Sequence, residues 1–121
     1  MLYTLFLVLF SVPLAAQDED QDNWIKTKDQ LGQVMFCQLI YKMPEVQARL
    51  YSFDIEQCDK AGELMMDVVA KYSNQDQLQL KALAEQHSYR LTQNTTEPYH
   101  SVAACRDYCR ELAENQGPAN D

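Results

Sequence analysis

VAACRDYCREL, from Val102 to Leu112, carries two of the four cysteines of the chain and governs how the remainder is read. Val102, Cys105, Cys109 and Leu112 recur at intervals of three and four, which is the spacing of one helical face. On such a face the Cβ atoms of Cys105 and Cys109 stand ~5–6 Å apart, whereas a disulfide wants ~3.8 Å. They therefore cannot pair with each other without unwinding the turn. The partners expected for them are Cys37 and Cys58, each of which also lies on an apolar helical stripe. Two disulfides should staple the last helix to two earlier ones. The nested arrangement, Cys37–Cys109 with Cys58–Cys105, is the first choice over the crossed one. Bridges closing such long loops each contribute about 3–4 kcal/mol through the entropy they remove from the unfolded chain.

The same cysteines argue against other chemistry. A structural zinc site usually draws two of its ligands from a C-x2-C knuckle, and the sequence has none. Without C-x-x-C there is no thioredoxin-type redox motif, and without C-x-x-C-H no covalent haem. No metal and no cofactor are expected. An even number of cysteines in a short chain instead indicates an oxidising compartment.

Working outward from the last helix, the pattern is helical throughout. Thr96 and Pro98 open it, and Gly117-Pro118 should close it, leaving residues 117–121 frayed. Before it, Leu80, Leu83, Ala84, His87 and Leu91 share one side of a helix that Asp76 and Gln79 would start as a capping box. Ile55, Cys58, Ala61, Met65, Val68, Val69 and Tyr72 form an earlier stripe, with Asp54 as its expected cap. Pro44 suits the first position of a short helix running to Leu50 or Tyr51. The first main helix should start at Trp24, capped by Asn23, and end before Pro44. From Val34 to Tyr41 only Gln38 is polar, so that part should be buried nearly all round. Gly32 within it is tolerable if a neighbour packs closely. No strand alternation and no Asn-Gly or Asp-Gly hairpin signal appears. The expected fold is all-α: a small bundle of four main helices plus one short helix, forming a single domain over residues 24–116.

MLYTLFLVLFSVPLAA, residues 1–16, reads as a signal peptide cut between Ala16 and Gln17. Its apolar run is too short for the roughly 20 residues that span a bilayer, and Pro13 should break any helix there. Residues 17–23, acidic and amide-rich, should form a solvated tail. The protein is thus expected to be exported, periplasmic in a bacterium and extracellular in a eukaryote, without stable membrane insertion after cleavage.

The chain has 121 residues, a net charge of -8 and 46% hydrophobic residues, enough for one core. Its acidity excludes the basic patch that nucleic acid requires. No catalytic constellation emerges. His87 falls on an apolar stripe, His100 near a helix start, and Glu45 and Asp54 at helix starts. No G-x-S-x-G or phosphate-binding loop occurs. Asn94-Thr95-Thr96 is an N-x-T glycosylation acceptor in an expected loop, a short triplet that chance also produces. The chain is read as a non-enzymatic module binding another protein, of inhibitor, immunity or envelope accessory type. Its methionines and aromatics support an alternative, a carrier of a small apolar ligand between helices. Without reductant the intact protein should weigh less than its reduced form by the hydrogens of two bridges. Equal masses would remove the crosslinks from this reading.

Overall fold

A computed structural model describes the backbone of residues 2–115 and the side chains of residues 21–115. The order is α1 (Leu2–Tyr41), α2 (Pro44–Gln47), α3 (Ser52–Val69), α4 (Asn74–Gln93), a 3-10 turn (Pro98–Ser101) and α5 (Val102–Asn115). The bundle is all-α, with four main helices and a short one. The expected stop at Gly117-Pro118 and the frayed end lie outside the described residues.

Contacts between named residues fix the helix directions. Gln38 Nε2 of α1 reaches the Cys58 carbonyl of α3 at 3.5 Å, while Thr27 meets the Tyr72 hydroxyl beyond the end of α3, also at 3.5 Å. α1 and α3 therefore run antiparallel. Gly32 lies against Ala84 and His87, and Trp24 faces Ser73 and Asp76, so α4 runs parallel to α1. α5 is parallel to α3, because Asp54 pairs with Arg106 and, one turn further on both, Cys58 joins Cys109. α1 is the central element, packing against α3, α4 and α5, while α4 has no comparable contact with α3 or α5. This explains the nearly all-apolar end of α1: Val34, Phe36, Cys37, Ile40 and Tyr41 are buried. Leu39, 42% exposed, is the departure from the expected burial.

The cysteine pairing differs from the first choice. Cys37 joins Cys105 and Cys58 joins Cys109, with Cα–Cα separations of 5.5 and 4.8 Å. This is the crossed arrangement. In the observed register Cys105 is level with Cys37 and Cys109 with Cys58, and the Asp54–Arg106 pair supports that register. Asp54 is 2% exposed and accepts from Arg106 Nε at 2.7 Å and from Arg106 Nη2 at 3.0 Å. Joining Cys58 to Cys105 would bring Val102 to the level of Asp54 and leave a buried carboxylate without its cation, which is strongly unfavourable. The Cys58 sulfur is still only 4.0 Å from the Cys105 carbonyl oxygen, so the rejected pairing is close in space.

Helix starts also shift from expectation. Asp54 does not cap α3. Tyr51 is the cap residue, and Asp54 in the first turn accepts the Tyr51 amide at 3.0 Å, half of a capping box. In α4 the cap is Ser73, whose hydroxyl accepts from the Asp76 amide at 3.2 Å, three residues before the expected one. The short helix ends at Gln47, earlier than expected.

α1 also runs through residues 17–23, where a tail was expected. No Gly or Pro lies between Leu14 and Gly32 to stop it, and Gln and Glu are good helix formers. Asn23 is thus internal, its carbonyl accepting from the Thr27 hydroxyl at 2.8 Å. The expected break at Pro13 is absent, the helix continuing through it.

The Arg106 guanidinium holds the Asp54 carboxyl below its ordinary range, against the opposing effect of burial. A carboxylate depressed in the folded state stabilises fully above the unfolded value. That contribution drains as pH falls through the folded one. Asp54→Asn should cost about 2 kcal/mol near neutrality, less than for a fully buried pair because Arg106 is 36% exposed. Below about pH 4 the variant and the wild type should converge. Urea midpoints measured across this range check both statements, and a constant gap would overturn the second.

Candidate docking groove

α3 and α4 are joined by a short link but splay apart above α1, and a groove of about 730 Å³ lies between them. Its floor comes from Leu31, Met35 and Gln38 of α1, at steps of four and three on one helical face. Gly62 and Met66 line the α3 side, with Glu63 and Asp67 beside them, and Lys81 and Glu85 form the α4 wall. Gly62 keeps the space open, since a Cβ there would stand 2.8 Å from the Gln38 amide nitrogen. Met66 is 39% exposed, whereas its neighbour Met65 is fully buried in the core. The two adjacent methionines thus divide between packing and surface. The groove opens to solvent along one side and is not an enclosed cavity.

Three carboxylates, Glu63, Asp67 and Glu85, face a single cation, Lys81, around this apolar floor. The ion pairs found among the described residues use other side chains: Lys28–Asp29, His100–Glu97, Arg106–Asp54 and Arg110–Asp107.

A second apolar surface lies at the start of α3. Tyr51, Phe53 and Ile55 are exposed, and the Arg106 guanidinium stands 5.9 Å from the Tyr51 ring centre. Arg49 caps the Tyr99 ring in the same manner at 4.4 Å. Of the other aromatics, Phe36 and Tyr41 are buried, while Trp24, Tyr72, Tyr99 and Tyr108 are half-buried. The Tyr41 hydroxyl is buried without a hydrogen-bond partner among the described residues. Burial, and then the Asp54 charge, push it up to about 12.

The remaining sequence candidates stay apart. All four cysteines are in bridges, so no thiol is available as nucleophile or ligand. These bridges indicate an oxidising, extracytoplasmic compartment. Among the described residues no helix is long and apolar enough to cross a membrane, and no group of three His, Cys, Asp or Glu is placed to hold a metal ion. His87 packs on Gly32, and His100 is exposed with its Nδ1 2.7 Å from Glu97. Asn94 is exposed at the C-cap of α4, followed by exposed Thr96, which leaves the triplet accessible. The groove itself was missed in the sequence. Its signal was the methionine set Met35, Met43, Met65 and Met66, of which Met35 and Met66 line the groove.

The two glycines of the groove region differ in what surrounds them. At Gly32 a Cβ would lie 2.6 Å from the His87 ring and 3.0 Å from the Ala84 carbonyl oxygen, which is α4 backbone. Gly32→Ala should therefore destabilise by about 1–2 kcal/mol, overpacking outweighing the gain in helix propensity. At Gly62 the obstacle is the end of a flexible glutamine, so Gly62→Ala should be neutral or stabilising by up to about 1 kcal/mol. Thermal unfolding of both variants checks the order. Comparison with known protein families, curated proteins and solved structures finds no match to this chain.

Proposed function

We propose that this chain is an exported, non-catalytic module that binds another protein through the groove between α3 and α4. Cleavage after Ala16 would release a mature acidic domain into an oxidising space, where the two bridges form. The observation that carries the reading is a groove on a covalently crosslinked frame in which Met66, 39% exposed, and half-buried Met35 face solvent above buried Leu31, within a rim of charged side chains. Contiguous exposed apolar surface rimmed by polar groups is characteristic of interaction sites. An inhibitor, immunity or envelope accessory role needs such a rigid face and no reactive group. The carrier alternative draws on the same methionines and on a volume within the range of ligand sites. It is the weaker reading, because the groove is open to solvent and not enclosed, whereas small-molecule sites bury most of their ligand.

The test is affinity capture from the secretions of the native host with wild type, Met66→Lys and Phe53→Lys, followed by direct binding with the purified partner. Saturable binding that Met66→Lys abolishes and Phe53→Lys spares is the expected result. Loss only in Phe53→Lys would move the site to the aromatic surface. A tightly held lipid or other apolar molecule extracted from the purified protein, with no protein partner, would replace this reading by the carrier.

A further inference from the structure

The chemistry of the groove also specifies its occupant. We propose that it docks a basic amphipathic helix of the partner protein, an inference that rests on the interaction reading above. Leu31, Met35 and Gln38 span eight residues of α1, seven steps or about 10 Å at 1.5 Å per residue, close to two helical turns. An occupant helix presents apolar side chains at i, i+3 or i+4, and i+7 over the same length. An open trough accepts one face of a helix and leaves the other wet, which suits its one-sided exposure. Unbranched methionine side chains at Met35 and Met66 can repack around anchors of differing shape.

Charge decides the sign of the occupant. The carboxylates of Glu63, Asp67 and Glu85 surround the floor with Lys81 as the one basic group, and none of these four is in an ion pair among the described residues. The surplus negative charge has the sign of the whole chain, which carries -8. An acidic helix would meet like charge along the α3 rim, where Glu63 and Asp67 line the groove without a cation, while on the α4 rim Lys81 offsets Glu85; a neutral helix would gain nothing from the surplus. Lys or Arg beside the apolar stripe would complement Glu63 and Asp67 on the α3 wall, accelerating encounter as well as fixing orientation. A small apolar molecule would leave these rim charges unused.

The experiment uses the intact disulfide-bonded protein and three synthetic helical peptides sharing one apolar stripe, flanked by Lys and Arg, by Gln, or by Glu. Fluorescence anisotropy at low and physiological salt reads the affinities. The basic peptide should bind roughly tenfold or more tightly than the Gln peptide, with the Glu peptide weakest and the preference shrinking as salt rises. Met66→Lys and the double variant Glu63→Gln, Asp67→Gln should each weaken the basic peptide. All three residues are exposed, so the helical circular dichroism and unfolding temperature should stay those of wild type and serve as the folding control. Equal affinity for the three peptides, or binding indifferent to Met66→Lys, would overturn the inference. A natural partner bound through the groove by an acidic or non-helical segment would overturn it too, yet leave the interaction reading intact. Absence of any groove-dependent partner would remove both.

Discussion

A carboxylate with 2% of its surface exposed must be neutralised before the helices around it can close, and Asp54 is neutralised by a guanidinium 52 residues away. That pair sets the register of α5 against α3. With Arg106 opposite Asp54, Cys109 stands opposite Cys58 and Cys105 is left for Cys37. The ion pair and the two disulfides agree on one register. Closing loops with separations of 68 and 51 residues contributes about 4 kcal/mol each by chain entropy, less when taken together. This is comparable to the net stability of a domain this size. A slip of α5 by one turn would break both bridges and strand one buried charge, so the three interactions reinforce one another.

The stripes of α3, α4 and α5 were legible because each is a helix with one buried face, and periodicity reports that directly. Val102, Cys105, Cys109 and Leu112 are all buried, as are Cys58, Ala61, Met65 and Val69. The near-continuous apolar run from Val34 was legible for a different reason, since a helix with neighbours on several sides loses its polar face. What periodicity could not report is relative register. A signal for it was present: Asp54 lies four residues before Cys58, and Arg106 three before Cys109, opposite charges about one turn ahead of cysteines that pair. Reading Asp54 as a cap used up its carboxylate locally and concealed that match. The groove was hidden for the same reason, since Met35, Met66 and Glu85 become neighbours only once helix order and splay are fixed.

Crosslinking is unevenly distributed over the bundle. Both bridges join α1, α3 and α5, and α4 carries no cysteine. α4 is held by its packing on α1, through Leu80, Ala84 and the contact of His87 with Gly32, and by the Ser73 cap at its start. One wall of the groove is therefore fixed covalently to the core, while the other rests on noncovalent contact along a single partner helix. Segments with fewer buried partners open at lower free energy than the rest of a fold. Binding that spreads over Lys81 and Glu85 on one wall and Met66 on the other would add to the contacts holding α4. An occupant that bridged the walls would thus stabilise the helix the disulfides leave untethered, coupling recognition to local order without any change in the crosslinked half.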